Sequence, residues 1–258
     1  MTAANKKMSI PKSPLRLTGL GILAAALIGA AFYPRGSDTD SSLLPEMAAA
    51  PFVLSSGAKL YIQKYEVTVA EWNTCHADGG CTLNLRVRAD QDAGAIPATG
   101  LSYVDVNEYL AWINDRTGRA FRLPTATEWT EMAAAVLPEE PDPIFTDPSL
   151  TWASTYLTEE SAPRTLKPRG SYSVSPEGVA DLDGSVWEWT QECYAGSANG
   201  ITDPKRCPAF FVGGEHVAAM SYLVRDPARG GCAVGTPPAH LGMRLVSEEA
   251  SGQGTVGS

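Results

Sequence analysis

Short acidic residues beside a glycine and two tryptophans make residues 181–192 the part of this chain best equipped for chemistry. They read Asp-Leu-Asp-Gly-Ser-Val-Trp-Glu-Trp-Thr-Gln-Glu. Carboxylates and turn carbonyls are hard oxygen donors of the kind that hold calcium, and the indoles would anchor such a loop on a core. The same residues also read as an Asp183-Gly184 turn entering a strand whose tryptophans are ordinary core. From these residues alone, both readings stay open.

The five cysteines are Cys75, Cys81, Cys193, Cys207 and Cys232. Cys75 and Cys81 bracket His-Ala-Asp-Gly-Gly, a loop able to turn back on itself, and Cys193 and Cys207 bracket a polar, glycine-containing insertion. Two disulfides with those pairings are expected, leaving Cys232 free. Zinc is not expected, because there is no Cys-x-x-Cys pair and the three histidines are scattered.

An oxidising destination is implied by the N-terminus. Lys6, Lys7, Lys12 and Arg16 precede an uncharged run over residues 17–33, the form of an export signal. Gly29-Ala30-Ala31 offers a small-residue cleavage site, and the run is at the short end for a span, so a cleaved signal and an inner-membrane anchor both stand. The leading cations keep the N-terminus inside and send the rest out, into the periplasm. Residues 34–50 are small and polar, a tether. A folded domain is expected over residues 51–247, with a flexible tail over 248–258. Net charge is −9, and about −13 without residues 1–33, which argues against nucleic acid as a partner. The 24 Gly and 19 Pro favour a loop-rich fold over a helical bundle.

Three helices are marked by capping boxes: Thr68 with Glu71, Ser102 with Asp105, and Thr125 with Glu128. The first should carry Cys75 on its last turn. In the second, Val106, Tyr109, Leu110 and Ile113 recur at helical spacing up to a stop at Gly118, and in the third Trp129, Met132 and Ala133 share a face. Short strands are expected within residues 52–67, at 209–212 and over 241–246, with irregular structure over 138–175.

Several segments, taken in order, resemble the sulfatase-modifying-factor family, the domain of the formylglycine-generating enzyme. They are Lys64-Tyr65-Glu66-Val67-Thr68, residues 117–125 (Thr-Gly-Arg-Ala-Phe-Arg-Leu-Pro-Thr) with Glu128-Trp129, Gly184-Ser185-Val186-Trp187-Glu188-Trp189, Gly213-Gly214 and Leu241-Gly242-Met243-Arg244. The resemblance implies one loop-rich α+β domain, distantly like C-type lectins. It also implies a structural calcium site, with side chains of Asp181 and Glu188 and carbonyls of Gly184 and Val186 as ligands.

Active enzymes of the resembled family carry two cysteines that bind copper(I), four and nine residues after the second glycine. Those positions are Ala218 and Leu223 here, and neither side chain ligates a metal, so no copper site and no copper-dependent formylglycine synthesis are expected. Trp187, Glu215, His216, Tyr222, Arg225 and Arg244 are the candidates for the substrate groove. Glu215 and His216 could exchange protons, but on a strand they share one site only if the chain bends there. Arg244 also reads as a structural partner for a buried carboxylate. Three functions follow from the resemblance: a non-oxidising binding or maturation-accessory domain for a protein or peptide client, an enzyme of altered chemistry that matures an exported redox protein, or a formylglycine-generating oxidase working by another route.

Overall fold

The computed structural model describes residues 39–137, 165–194, 207–215, 217–226 and 240–250. The export segment, most of the stretch expected to be irregular, His216, Cys232 and all but the first residues of the tail lie outside them. The architecture is mixed α+β, as expected, and the described elements belong to one unit.

The three capping boxes start the three helices. In α1 (Val69–Ala77), α2 (Tyr103–Thr117) and α3 (Ala126–Ala133), the N-cap hydroxyl accepts from the third helical amide and the acidic side chain there accepts from the N-cap amide. Gly118 ends α2 in the left-handed region at φ +63°, a conformation glycine adopts without a Cβ clash. Cys75, near the end of α1, is bonded to Cys81, and Cys193 to Cys207, the expected pairings.

Two sheets complete the fold. β1 (Phe52–Val53), β2 (Lys59–Ile62) and β7 (Val246–Ser247) form an antiparallel sheet in the order β1-β2-β7. The other contains β3 (Val186–Tyr194), β4 (Ala209–Gly213), β5 (Val217–Ser221) and β6 (His240–Gly242), in the order β5-β4-β3-β6. Its pairs are antiparallel except for β3 with β6. The single strand expected over 241–246 is therefore two strands in different sheets. The chain crosses between them at Met243, Arg244 and Leu245, all fully buried.

Part of the stretch expected to be a tether is packed onto the domain. Residues 41–43 form a 3₁₀ turn capped by Asp40, the Asp40 amide bonds Arg116 O, and Met47 bridges Gln63. Leu43, Leu44 and Met47 lie against the main core. The opposite edge also extends slightly: Glu248, expected to be the first residue of the tail, bonds Arg122 at 3.1 Å.

The main core is shared by α1, α2 and the larger sheet, and a second cluster joins α3 to β2 and β7. Its largest side chains keep their polar atoms partnered. Trp189 is fully buried and donates to Leu101 O at 2.8 Å, and Trp72 donates to Leu83 O at 2.8 Å. Replacement of Trp189 by Ala removes the indole from the centre of this core. An unfolding free energy lower by about 3–5 kcal/mol is expected, measured by urea denaturation.

Candidate functional site

The crossover residue Arg244 is wholly buried. Its Nε and Nη2 donate to Glu188 Oε1 at 2.9 and 2.8 Å. Nη1 donates to the carbonyls of Gln63 (3.0 Å) and Lys64 (2.7 Å), and Nη2 to that of Ala180 (2.9 Å). Burial works against the charge, but Glu188 and Glu66 more than offset it and raise the guanidinium pKa. A guanidinium so engaged and shielded lines no groove, so Arg244 leaves the set of groove residues and takes the structural role.

Glu188 is equally enclosed, and its Oε2 accepts from Trp129 Nε1 at 3.0 Å. Asp181 lies in the left-handed region at φ +64°, tolerated better by Asp than by most residues. Its carboxylate accepts from the amides of Gly170 and Tyr172, the latter at 2.8 Å, and its carbonyl accepts from Gly184 N in a turn. Val186 begins β3, paired with His240. The expected turn and strand therefore coexist with the expected ligand residues.

Glu66 completes this cluster, and the sequence reading passed over it. It is 2% exposed, and its Oε2 has no hydrogen-bond partner although it lies 3.7 Å from Arg244 Nη2. Burial pushes its pKa up to about 8, with Glu188 and Asp181 adding to the rise and Arg244 opposing it. Glu66, Asp181 and Val186 also line a narrow crevice beside Tyr172. Three buried carboxylates thus lie around one guanidinium, and Glu66 Oε2 alone of their oxygens is left buried without a hydrogen bond. The signal for Glu66 was a lone Glu between Tyr65 and Val67, just beyond β2.

The remaining described groove candidates differ in their surroundings. Trp187 is buried, and a Cβ on Gly214 would run into its indole, just as one on Gly213 would run into Trp129. The glycine pair therefore lets the β4–β5 hairpin lie directly on two indole rings. Glu215 is exposed in the bend of that hairpin. Tyr222 and Leu223 are exposed just beyond β5, whereas Ala218 is buried within it. Arg225 donates from Nε and Nη2 to Asp105 at 2.7 and 2.6 Å. That bond fastens the turn after β5 to the N-terminus of α2, where Asp105 also accepts from Ser102. The capping box foretold Asp105 as a cap but carried no sign of its distant arginine.

A two-thiolate copper site needs two free cysteines. Four of the five are in disulfides, and the positions assigned to the ligands hold an enclosed alanine and an exposed leucine. These residues do not fit copper(I).

A model described as the sulfatase-modifying factor enzyme 1-like domain matches residues 31–249. Among solved structures, PvdO from Pseudomonas aeruginosa is 19% identical, with a TM-score of 0.49 over 78% of this chain and 89% of its own. A crystal structure of CarF is 17% identical, with a TM-score of 0.47 over 73% and 86%. Treponema denticola variable protein 1 is 14% identical, with a TM-score of 0.44 over 80% and 94%. No curated protein matches the chain.

The Asp105–Arg225 bond sets a pH dependence. Burial raises the Asp105 pKa, but Arg225 and Ser102 outweigh it and hold the carboxyl below its ordinary 3.8. A depressed carboxyl stabilises the fold above the unfolded value and loses that contribution as pH falls through the folded one. Asp105→Asn is therefore expected to melt lower than the parent at pH 7, with the gap closing below about pH 4 in parallel thermal melts.

Proposed function

The chain belongs to the sulfatase-modifying factor enzyme 1-like family, and from that premise we propose that it is an exported, non-oxidising binding or maturation-accessory domain that holds a protein or peptide client in the periplasm. What carries this reading is the sulfur chemistry. With Cys75, Cys81, Cys193 and Cys207 paired, and Ala218 and Leu223 at the positions of the copper ligands, no two thiols remain to bind copper and activate oxygen. The two disulfides also suit an oxidising compartment, in keeping with the export-like N-terminus.

The direct test is incubation of the purified chain with copper(I), oxygen and a cysteine-containing sulfatase peptide. No aldehyde product is expected by mass spectrometry, and a stoichiometric yield would overturn the reading. In fractionated cells the chain should be found outside the cytoplasm with both disulfides formed. A reduced, cytoplasmic chain would remove the periplasmic part.

Calcium is the proposed structural cofactor. The carboxylates of Asp181 and Glu188 and the carbonyls of Gly184 and Val186 would hold it, with Glu66 beside them. When bound, the ion supplies positive charge to a cluster otherwise rich in carboxylates. The residues themselves fix the loop before β3 and hold Trp129 and Trp187 under the hairpin. Elemental analysis should find about one calcium per chain, chelation should lower the melting temperature, and Asp181→Ala should abolish that response. A metal-free protein indifferent to chelator and to added calcium would remove the ion from the site.

A further inference from the structure

One cleft among the described residues contains none of the expected groove residues. It has a volume of about 380 Å³, within the roughly 300–1,000 Å³ typical of small-molecule sites. Its polar lining is Arg86, Arg88, Gln91, Thr99, Thr165 and His240. Leu85, Val87 and Leu166 contribute apolar surface to the same space.

Neither Arg86 nor Arg88 forms an ion pair among the described residues, although both belong to an acidic chain. Asp90 and Asp92 are on the same loop but do not line the cleft, and the Asp92 carboxylate accepts from Gly94 N at 2.9 Å. Two further cations, Lys167 and Arg169, follow directly on the Thr165-Leu166 wall, stacked over Tyr172 and Tyr65. Four cations thus lie on or beside this cleft in a chain of net charge −9.

The walls are held without a ligand. Leu85 exchanges hydrogen bonds with the Asn73 side chain at 2.9 and 3.0 Å, and Arg88 N donates to Gln91 Oε1 at 3.1 Å. Val69 N bonds Ile96 O at 2.9 Å, and Arg169 N bonds Ala95 O at 2.8 Å, docking the 165–169 segment on the neighbouring loop. A preformed cleft loses little freedom when it is filled.

We propose that this cleft binds an organic carboxylate with an apolar body, its carboxylate on Arg86 and Arg88 and its body against Leu85, Val87 and Leu166. Planar guanidinium groups match a carboxylate with paired hydrogen bonds. The apolar surface beside them selects an amphipathic acid over inorganic phosphate. This deepens the binding role proposed above and rests on it. The acid is either a small free molecule or the C-terminal residue of a peptide client.

Calorimetric titration of the full chain decides the matter with four probes: 4-methylpentanoate, an N-acetylated tripeptide ending in leucine acid, the same tripeptide as its amide, and inorganic phosphate. One of the two acids should bind saturably, at least about 10-fold more tightly than the amide or phosphate, as loss of a charge-assisted pair implies. Which acid is tighter identifies the source. Arg86→Gln with Arg88→Gln should lower acid affinity about 10-fold or more and leave the far-ultraviolet circular dichroism unchanged, since both side chains are exposed. Replacement of both by Lys should retain part of the affinity. Equal binding of acid and amide, preference for phosphate, no saturable binding, or an unaffected Gln variant would each overturn the site. A chain that binds neither acid and still forms no aldehyde loses this site alone. Aldehyde formation would instead remove the binding-domain reading itself.

Discussion

A guanidinium deprived of water must find partners, and the position of Arg244 makes the whole domain supply them. The side chain lies where the last segment leaves one sheet for the other. Its donors reach Gln63 and Lys64 after β2, Ala180 before the acidic loop, and Glu188 within β3. Removing any one of these segments would leave a buried charge incompletely bonded, at a cost of several kcal/mol. The two small sheets have few strands of their own, so a shared ionic centre helps to fix how they meet. Glu188 extends the network to Trp129 on α3.

The same centre carries an excess of negative charge. Glu66, Asp181 and Glu188 lie close enough for Asp181 and Glu188 to raise the Glu66 pKa, while Arg244 is the one charge that opposes them there. A proton on Glu66 would relieve the imbalance, as would the proposed calcium ion. On this view the acidic, tryptophan-rich loop is a structural keystone. Above it, the Gly213-Gly214 hairpin rests on two indoles, so the glycines allow close packing there. The turn beyond β5 is fastened by Arg225 to Asp105, leaving Tyr222 and Leu223 at the surface. The proposed carboxylate site lies elsewhere, in the cleft between the 85–91 and 165–166 segments.

Features set by near neighbours in the chain were legible from sequence. Each capping box needs only residues three apart, so all three helix starts could be read directly. Cys75 and Cys81 lie one loop apart, and Cys193 and Cys207 close one insertion, so their pairing followed from spacing and an oxidising context. The ordered motifs carried the family and its α+β class.

Other features depended on residues far apart in the chain. The strand expected over 241–246 divides because His240, Leu241 and Gly242 pair with β3, whereas Val246 and Ser247 pair with β2. Apolar pattern alone cannot choose between two sheets. Arg244 could be read for a groove or a core until its partners came together from three segments. Residues 39–50 looked like a tether because their few apolar side chains find their core only in the folded domain. Sequence by itself determined the local grammar of caps, loops and thiols, since those energies act between neighbours. Only the tertiary structure decided which charges are buried together and which arginines remain facing a cleft, because desolvation and Coulomb interaction depend on distance in space.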